Sequence, residues 1–380
     1  MLLHIIRKEL LDQLLSLRFA IACVVCTATL LVSGVVHGRN YAEATDTYQV
    51  NSVLHRNDVT RRTQVFDLWQ GVTVDRPLNV MNVLVRGMNG TLTESIKVQM
   101  GNRLDFPENY EKNPLLPLFP TVDFVFVVGI VLSLLAVTFS YDSISGEKES
   151  GVLRVMLSYS VPRDLVLAGK WIGGYLALVI PFFLAFLVTL VVLLLFPEVV
   201  IGPQDMLATA GLLLACLLYL ATIYSLGLVV STRTDLASTS ISVLLLIWVV
   251  LILVVPNMAP YVAARVVTVP SRESIDRAKM EITRERSRHY QTKVEEEVAR
   301  SGRTLMAVYQ DTLFQASMKT WVEESEALAQ RLEEDYTARV QARADWSQTV
   351  ARLSPLSSFN LAAINLAAAG VEQEREAHRL

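Results

Sequence analysis

One charged stretch, residues 140–171, lies between two apolar runs that are each long enough to cross a membrane. A polar segment in this position faces one aqueous side and stays close to the membrane surface. Gly151 and Pro162 interrupt it, which predicts a short amphipathic helix along the membrane, a turn, and the start of the next spanning helix. Taken alone, these charges are typical of a solvated loop that helps to set topology.

The sequence lacks the common motifs of catalysis. It contains no GxxxxGK[ST] loop for nucleotide phosphates, no HExxH and no GxSxG, and its five histidines have no metal-ligand spacing. Cys23 and Cys26 form a CxxC, but they lie inside the uncharged run 19–36. We interpret them as buried apolar residues rather than as zinc or redox ligands. We therefore expect neither enzymatic activity nor a cofactor in this chain.

The composition indicates a membrane protein. Of the 380 residues, 52% are hydrophobic although 19% are charged, so the apolar residues must occur in blocks. The net charge of −3 and the absence of a basic aromatic stripe argue against nucleic acid as a partner.

The apolar blocks predict an all-α integral membrane protein with about five transmembrane helices. An N-terminal interfacial helix, a long extracytoplasmic helical domain and a smaller mixed extracytoplasmic region complete the predicted fold. The predicted spans are residues 19–36, 122–141, 171–196, 206–232 and 236–258. The predicted segments between and beside them are the interfacial helix 1–18, the extracytoplasmic region 37–119, the cytoplasmic segment 142–170, the extracytoplasmic helical domain 270–350, and the membrane-surface or re-entrant segment 353–370.

The N-terminal helix is predicted to lie at the membrane surface. Its polar and apolar residues separate onto two faces, as in an interfacial helix. The apolar face consists of Leu3, Ile6, Leu10, Leu14 and Leu17. Arg7, Lys8 and Arg18 would face anionic lipid headgroups, and they place the N-terminus in the cytoplasm. The expected location is therefore the cell (inner, or cytoplasmic) membrane, crossed several times.

The regions between the spans differ in pattern. Residues 37–119 begin as a helix that continues the first span to Trp69, and short strands are predicted at Gly71–Val74 and Leu92–Met100. Residues 270–350 predict long amphipathic helix, broken into a hairpin at Ser301 and Gly302. Residues 353–370 are apolar but contain proline and small polar residues, which favours a surface or re-entrant segment over a sixth span.

The stretch GEKESGVLRVMLSYSVPRDLVLAGKW, which ends at Trp171, resembles the cytoplasmic segment of ABC-2 type transporter permeases. The resemblance covers most of the chain up to Met258 and is most specific from Ser145 to Lys170. It implies a separate ABC ATPase subunit that binds ATP and Mg²⁺, and a second permease that is identical or related. The residues implied at the ATPase contact are Glu147, Lys148, Glu149, Arg154, Arg163 and Asp164.

Six spans are usual in such permeases, whereas five are predicted here. Either a final span lies beyond the given sequence or the protein functions without one.

We expect a permease subunit of an exporter, coupled to the ATPase through residues 142–170. The alternative is a membrane anchor or scaffold that does not transport and whose helical domain 270–350 recruits a partner. An intramembrane enzyme is disfavoured, because Asp123 is the one ionisable residue near a span and it lies at the edge. The substrate cannot be read from the sequence.

Overall fold

A computed structural model of the protein describes residues 2–61, 72–75, 78–85, 95–98, 123–158 and 162–367. The fold in these ranges is almost entirely helical, with one two-stranded sheet. The α-helices are α1 (Leu2–Leu14), α2 (Leu17–Arg61), α3 (Phe124–Phe126), α4 (Ser133–Ser140), α5 (Ser145–Glu149), α6 (Val152–Ser158), α7 (Arg163–Leu193), α8 (Pro203–Arg233), α9 (Ala237–Trp248), α10 (Val255–Val266), α11 (Arg272–Ser301), α12 (Leu305–Tyr309), α13 (Thr312–Ala351) and α14 (Pro355–Leu366).

The described ranges contain five helices that are long and apolar enough to cross a membrane. They are Leu17–Thr60, Phe124–Glu149, Arg163–Leu193, Pro203–Arg233 and Ala237–Val266. The second contains a π-helical turn at Val127–Leu132, and the fifth contains one at Val249–Val254. The predicted all-α membrane protein with five transmembrane helices is confirmed.

The first span continues well beyond a membrane. Helix α2 has 45 residues and is therefore about 68 Å long, more than twice the thickness of a hydrocarbon core. Strands β1 (Val72–Asp75) and β2 (Ser95–Val98) pair antiparallel. His55 of α2 and Asp75 of β1 approach to 2.7 Å between Nδ1 and Oδ2, which joins the sheet to the helix. The outer ends of the predicted strands, and most of residues 37–119 beyond Arg61, lie outside the described residues.

The chain divides into two compact units, of which the first comprises residues 1–253 and 354–380. In this unit α1 and α2 pack against α7, and α4 and α14 pack against α8. Small residues permit the close contacts, as is usual between membrane helices. A Cβ atom at Gly169 would lie 2.6 Å from Ile5 Cγ2, and one at Gly34 would lie 2.6 Å from Thr189 Cγ2.

The π-helical turn of the second span takes part in a buried hydrogen-bond network. The Gly129 carbonyl accepts from Tyr219 Oη and from Ser133 Oγ, both at 2.7 Å, and Trp248 Nε1 donates to Ser133 Oγ at 3.0 Å. Polar groups in a water-free interior need such partners. Spans two, four and five are therefore joined by directed bonds as well as by packing.

Helix α14 has 12 residues and is about 18 Å long, too short to cross a hydrocarbon core. It packs against α8, and the Phe359 ring stacks on Tyr219 at 4.9 Å. Placement of residues 353–370 at the membrane surface or as a re-entrant segment stays a prediction. Residues 368–370 lie outside the described part of the chain, as does the charged tail.

The second unit, residues 254–353, is a helical hairpin with α10 packed against α13 and α11 packed against α13. Helix α11 ends at Ser301, where the break was predicted, and Gly302 follows in the left-handed conformation with φ +65°. Asp311 caps α13 by accepting from the Leu313 N–H, and this hydrogen bond lowers the pKa of its carboxyl group. The predicted extracytoplasmic location of this unit stays a prediction.

Candidate functional site

The polar segment between the second and third spans folds into two short helices. Helix α5 ends at Glu149, and Gly151 adopts φ +75°, a left-handed conformation that glycine accepts without strain. Helix α6 follows, and residues 159–161 lie outside the described residues. Pro162 precedes α7, which begins at Arg163 with Asp164 in its first turn, where a carboxylate is favoured by the helix dipole.

A buried lysine lies beside the segment. The Lys170 ammonium is 3.0 Å from Glu9 Oε2 and 3.0 Å from Glu147 Oε1, and its side chain is only 3% exposed. Lys8 is 3.8 Å from the same Glu147 oxygen and is largely exposed. Because a buried charge without a partner costs several kcal/mol, these groups must remain together for the fold to be stable. We name Glu9, Glu147 and Lys170 the buried ion-pair network.

The second and third charged residues of α5 complete the ends of other helices. Lys148 Nζ donates to the carbonyls of Thr232 at 2.6 Å and Thr234 at 3.0 Å, which are at the C-terminus of α8. Glu149 Oε2 accepts from the Ala237 N–H at 3.1 Å, at the N-terminus of α9. Each charge has the sign that the helix dipole favours at that end. Helix α5 therefore fixes the turn between the fourth and fifth spans.

Hydroxyl groups attach the start of the segment to the spans. Ser231 Oγ accepts from the backbone N–H groups of Ile144 and Ser145, both at 3.0 Å, and so satisfies donors at the start of α5. Ser240 Oγ donates to the Tyr141 carbonyl at 2.6 Å. Residues 141–149 are thus bound to α8 and α9 at several points.

The remaining candidate residues point outward. Arg154, Arg163 and Asp164 are exposed, and the described part of the chain offers them no ion pair. Apolar side chains accompany them, of which Val155 is 60% exposed. We name the exposed positions of α6 and of the start of α7 together the outer face; they are Val152, Arg154, Val155, Arg163, Asp164 and Leu167. A mixed basic and apolar surface of this kind is typical of a protein contact.

The structure therefore separates the six residues that the resemblance implied. Glu147, Lys148 and Glu149 have partners within the protein, whereas Arg154, Arg163 and Asp164 are exposed and have no ion pair among the described residues. This arrangement does not test contact with an ATPase. The assignment of all six residues to that contact therefore stays a prediction. Sequence reasoning missed Glu9 and Lys170. A signal was present for Lys170, because a charge at the start of an otherwise uncharged span requires a partner.

The described residues contain no group of three or more His, Cys, Asp and Glu side chains arranged to hold a metal ion. Cys26 is buried and Cys23 half-buried in α2, and both are free thiols. The functional features found in these ranges are therefore the buried ion-pair network and the outer face.

Comparison with known proteins identifies the family. The model of the ABC-2 family transporter proteins matches residues 3–374. The chain belongs to this family, which makes it a membrane permease of the ABC transporter class. It is also 32% identical over 116 residues to the "Probable ABC transporter permease protein NosY" of Pseudomonas aeruginosa. That match covers 29% of this chain and 42% of the relative, so the chain spans less than half the length of this curated relative.

Charged side chains of the segment that have partners and those that are exposed should contribute differently to the free energy of unfolding. Lys148→Met keeps most of the side-chain volume but removes two hydrogen bonds from a charged donor. We expect it to lower the free energy of unfolding by about 1.5–3 kcal/mol. Arg154→Met removes an exposed charge that has no ion pair among the described residues. It should change the free energy of unfolding by about 0.5 kcal/mol or less. Thermal unfolding of the two purified variants in detergent measures this difference, and equal losses would show that Lys148 has no special structural role.

Proposed function

We propose that the protein is the membrane-spanning permease subunit of an ATP-driven exporter, and that a separate ABC ATPase binds the outer face of its 142–170 segment. The observation that carries this proposal is the division of charges within the segment. The charged residues of α5 are bound to the spans by ion pairs and helix caps, whereas the outer face presents exposed charged and apolar groups. A partner that moves such a surface also moves the helices attached to it.

ATP and Mg²⁺ would bind in the partner, because the sequence has no phosphate-binding loop. The protein would therefore act as a transport subunit and not as an enzyme. The export direction is supported by the large regions outside the spans, which suit a substrate at or beyond the outer leaflet. We further propose that a second permease, identical or related, completes the substrate path.

We propose the cytoplasmic (inner) membrane as the location, with the N-terminus in the cytoplasm. Arg7, Lys8 and Arg18 precede or begin the first span and favour this orientation. Leu3 of α1 and Leu15, which directly follows α1, are 78% and 86% exposed, which suits contact with lipid. The N-terminal helix would then bind protein with one side and membrane lipid with the other.

Binding of the ATPase tests the proposed function. We expect the tagged protein, purified from native membranes, to retain an ABC ATPase, and Arg154→Glu together with Arg163→Glu to release it. Reversal of a charge at an interface costs about 2–5 kcal/mol where the pair is buried on binding, and less at a rim. The matched control is Arg277→Glu, another exposed arginine on a helix of the second unit. If the double variant retains the ATPase as well as the control does, the outer face is not the docking surface, and a protein that retains no ATPase at all would favour the anchor alternative.

Cysteine labelling tests the orientation. In a variant with Cys23, Cys26 and Cys216 replaced by serine, the exposed positions Ser150 and Gln204 are changed singly to cysteine. These positions lie at opposite ends of the third span. We expect a membrane-impermeant reagent to label position 150 only from the cytoplasmic side and position 204 only from the outside. The reverse pattern would invert the proposed topology.

A further inference from the structure

The buried ion-pair network joins three helices that are distant in sequence. Glu9 belongs to α1, Glu147 to α5 and Lys170 to α7, and the lysine ammonium lies 3.0 Å from both carboxylates. The second oxygen of Glu147, Oε2, is buried and has no hydrogen-bond donor within the described ranges. The position of Glu147 therefore depends on Lys170, with a weaker contribution from Lys8 at 3.8 Å.

The contact between α1 and α7 does not need these charges. It is formed by close backbone approach, since a Cβ atom at Gly173 would lie 3.0 Å from the Ile6 carbonyl oxygen and 2.8 Å from Glu9 Cβ. Gly169 meets Ile5 in the same way. Packing of this kind holds membrane helices together without any ion pair. What the network adds is the connection of this helix pair to α5.

Helix α5 has its main packing contacts elsewhere, with α6, α8 and α9. The ion pair of Glu147 with Lys170 connects α5 to α7, and through Lys170 and Glu9 to α1. A second ion pair joins the same two groups of helices, because Arg18 Nη1 of α2 lies 2.7 Å from Asp142 Oδ2, just after α4. Two charged links therefore join the α1, α2 and α7 group to the segment that bears the outer face.

Stability alone is a weak explanation for such a network. A buried ion pair can be replaced by apolar side chains of similar size with little loss, and often with a gain, whereas removal of one partner is costly. Charged groups, however, fix position through distance and direction more narrowly than apolar packing does. The network is thus suited to hold α5 in one place relative to α1.

We infer that Lys170 is a positioning residue, which ties the N-terminal helix α1 to the partner-binding segment so that α1, α5 and α7 move as one body. This inference rests on the proposed function, since it names how force from the ATPase reaches the first and third spans. Helix α1 is then a mechanical part of the coupling unit in addition to being a membrane-surface helix.

The test removes the network without leaving a buried charge unpaired. The variant carries Glu9→Gln, Glu147→Gln and Lys170→Met together, so that folding is preserved. The outer face is intact, and stimulation is measured at a saturating ATPase concentration, so that a change in affinity from Glu147, one of the six residues predicted at the contact, is not counted as a loss of coupling. Stimulation of ATP hydrolysis by the permease in lipid vesicles should fall by about tenfold, a typical coupling factor. The matched control, Lys279→Met with Glu333→Gln, removes two ion pairs in the second unit, that of Glu333 with Lys279 at 2.6 Å and that with Arg272 at 2.7 Å, and should leave the stimulation unchanged.

A second readout does not depend on the ATPase. Spin labels at the exposed positions His4 and Ser150, in the background without native cysteines, report the distance between α1 and the end of α5. We expect a narrow distance distribution in the otherwise unchanged protein and a broad one in the triple variant. An unchanged distribution, or wild-type stimulation by the triple variant, overturns the inference. If the unchanged permease binds no ATPase, the proposed function fails, while a broadened distribution still supports the link between α1 and α5.

Discussion

The hydrocarbon core of a membrane contains no water, so every backbone N–H and C=O group that enters it must find its partner within the protein. This constraint explains why the described part of the chain consists of long helices with directed side-chain bonds between them. Lipid also removes most of the hydrophobic driving force for association, which leaves close packing and polar contacts to hold the helices together. Gly34, Gly169 and Gly173 permit the close packing. The hydrogen bond from Tyr219 to the Gly129 carbonyl is one of the polar contacts.

At the polar ends of the spans, charged side chains hold the helices together, as close packing does inside the membrane. Lys148 and Glu149 complete the ends of α8 and α9, and Lys170 joins α1 to α5. Helices α1 and α5, which would be marginal as isolated helices, are thereby held in fixed positions. The outer face is presented on this support, which is what a contact that transmits movement requires.

Much of the fold follows from local pattern. The five spans could be predicted because uncharged runs of 18 or more residues have few alternatives to crossing a membrane. The hairpin break at Gly302 followed from a single glycine in a long polar helix. The orientation of α1 was harder to predict: Leu3, placed on the apolar face by periodicity, is exposed, whereas Glu9 is buried against α7. A helical pattern shows that a helix has two faces, but the pairing of Glu9 with Lys170 depends on tertiary contacts between residues far apart in the chain.

The central claim, that an ATPase docks on the outer face, is tested most directly by photo-crosslinking in native membranes. A photoreactive amino acid at Val155, which is 60% exposed on α6, samples that surface, and the same group at the exposed Ser287 of α11 serves as the control. We predict that position 155 crosslinks to a protein with a phosphate-binding loop and that position 287 does not. Absence of such a protein at position 155, or its equal capture at position 287, would contradict the proposed docking surface.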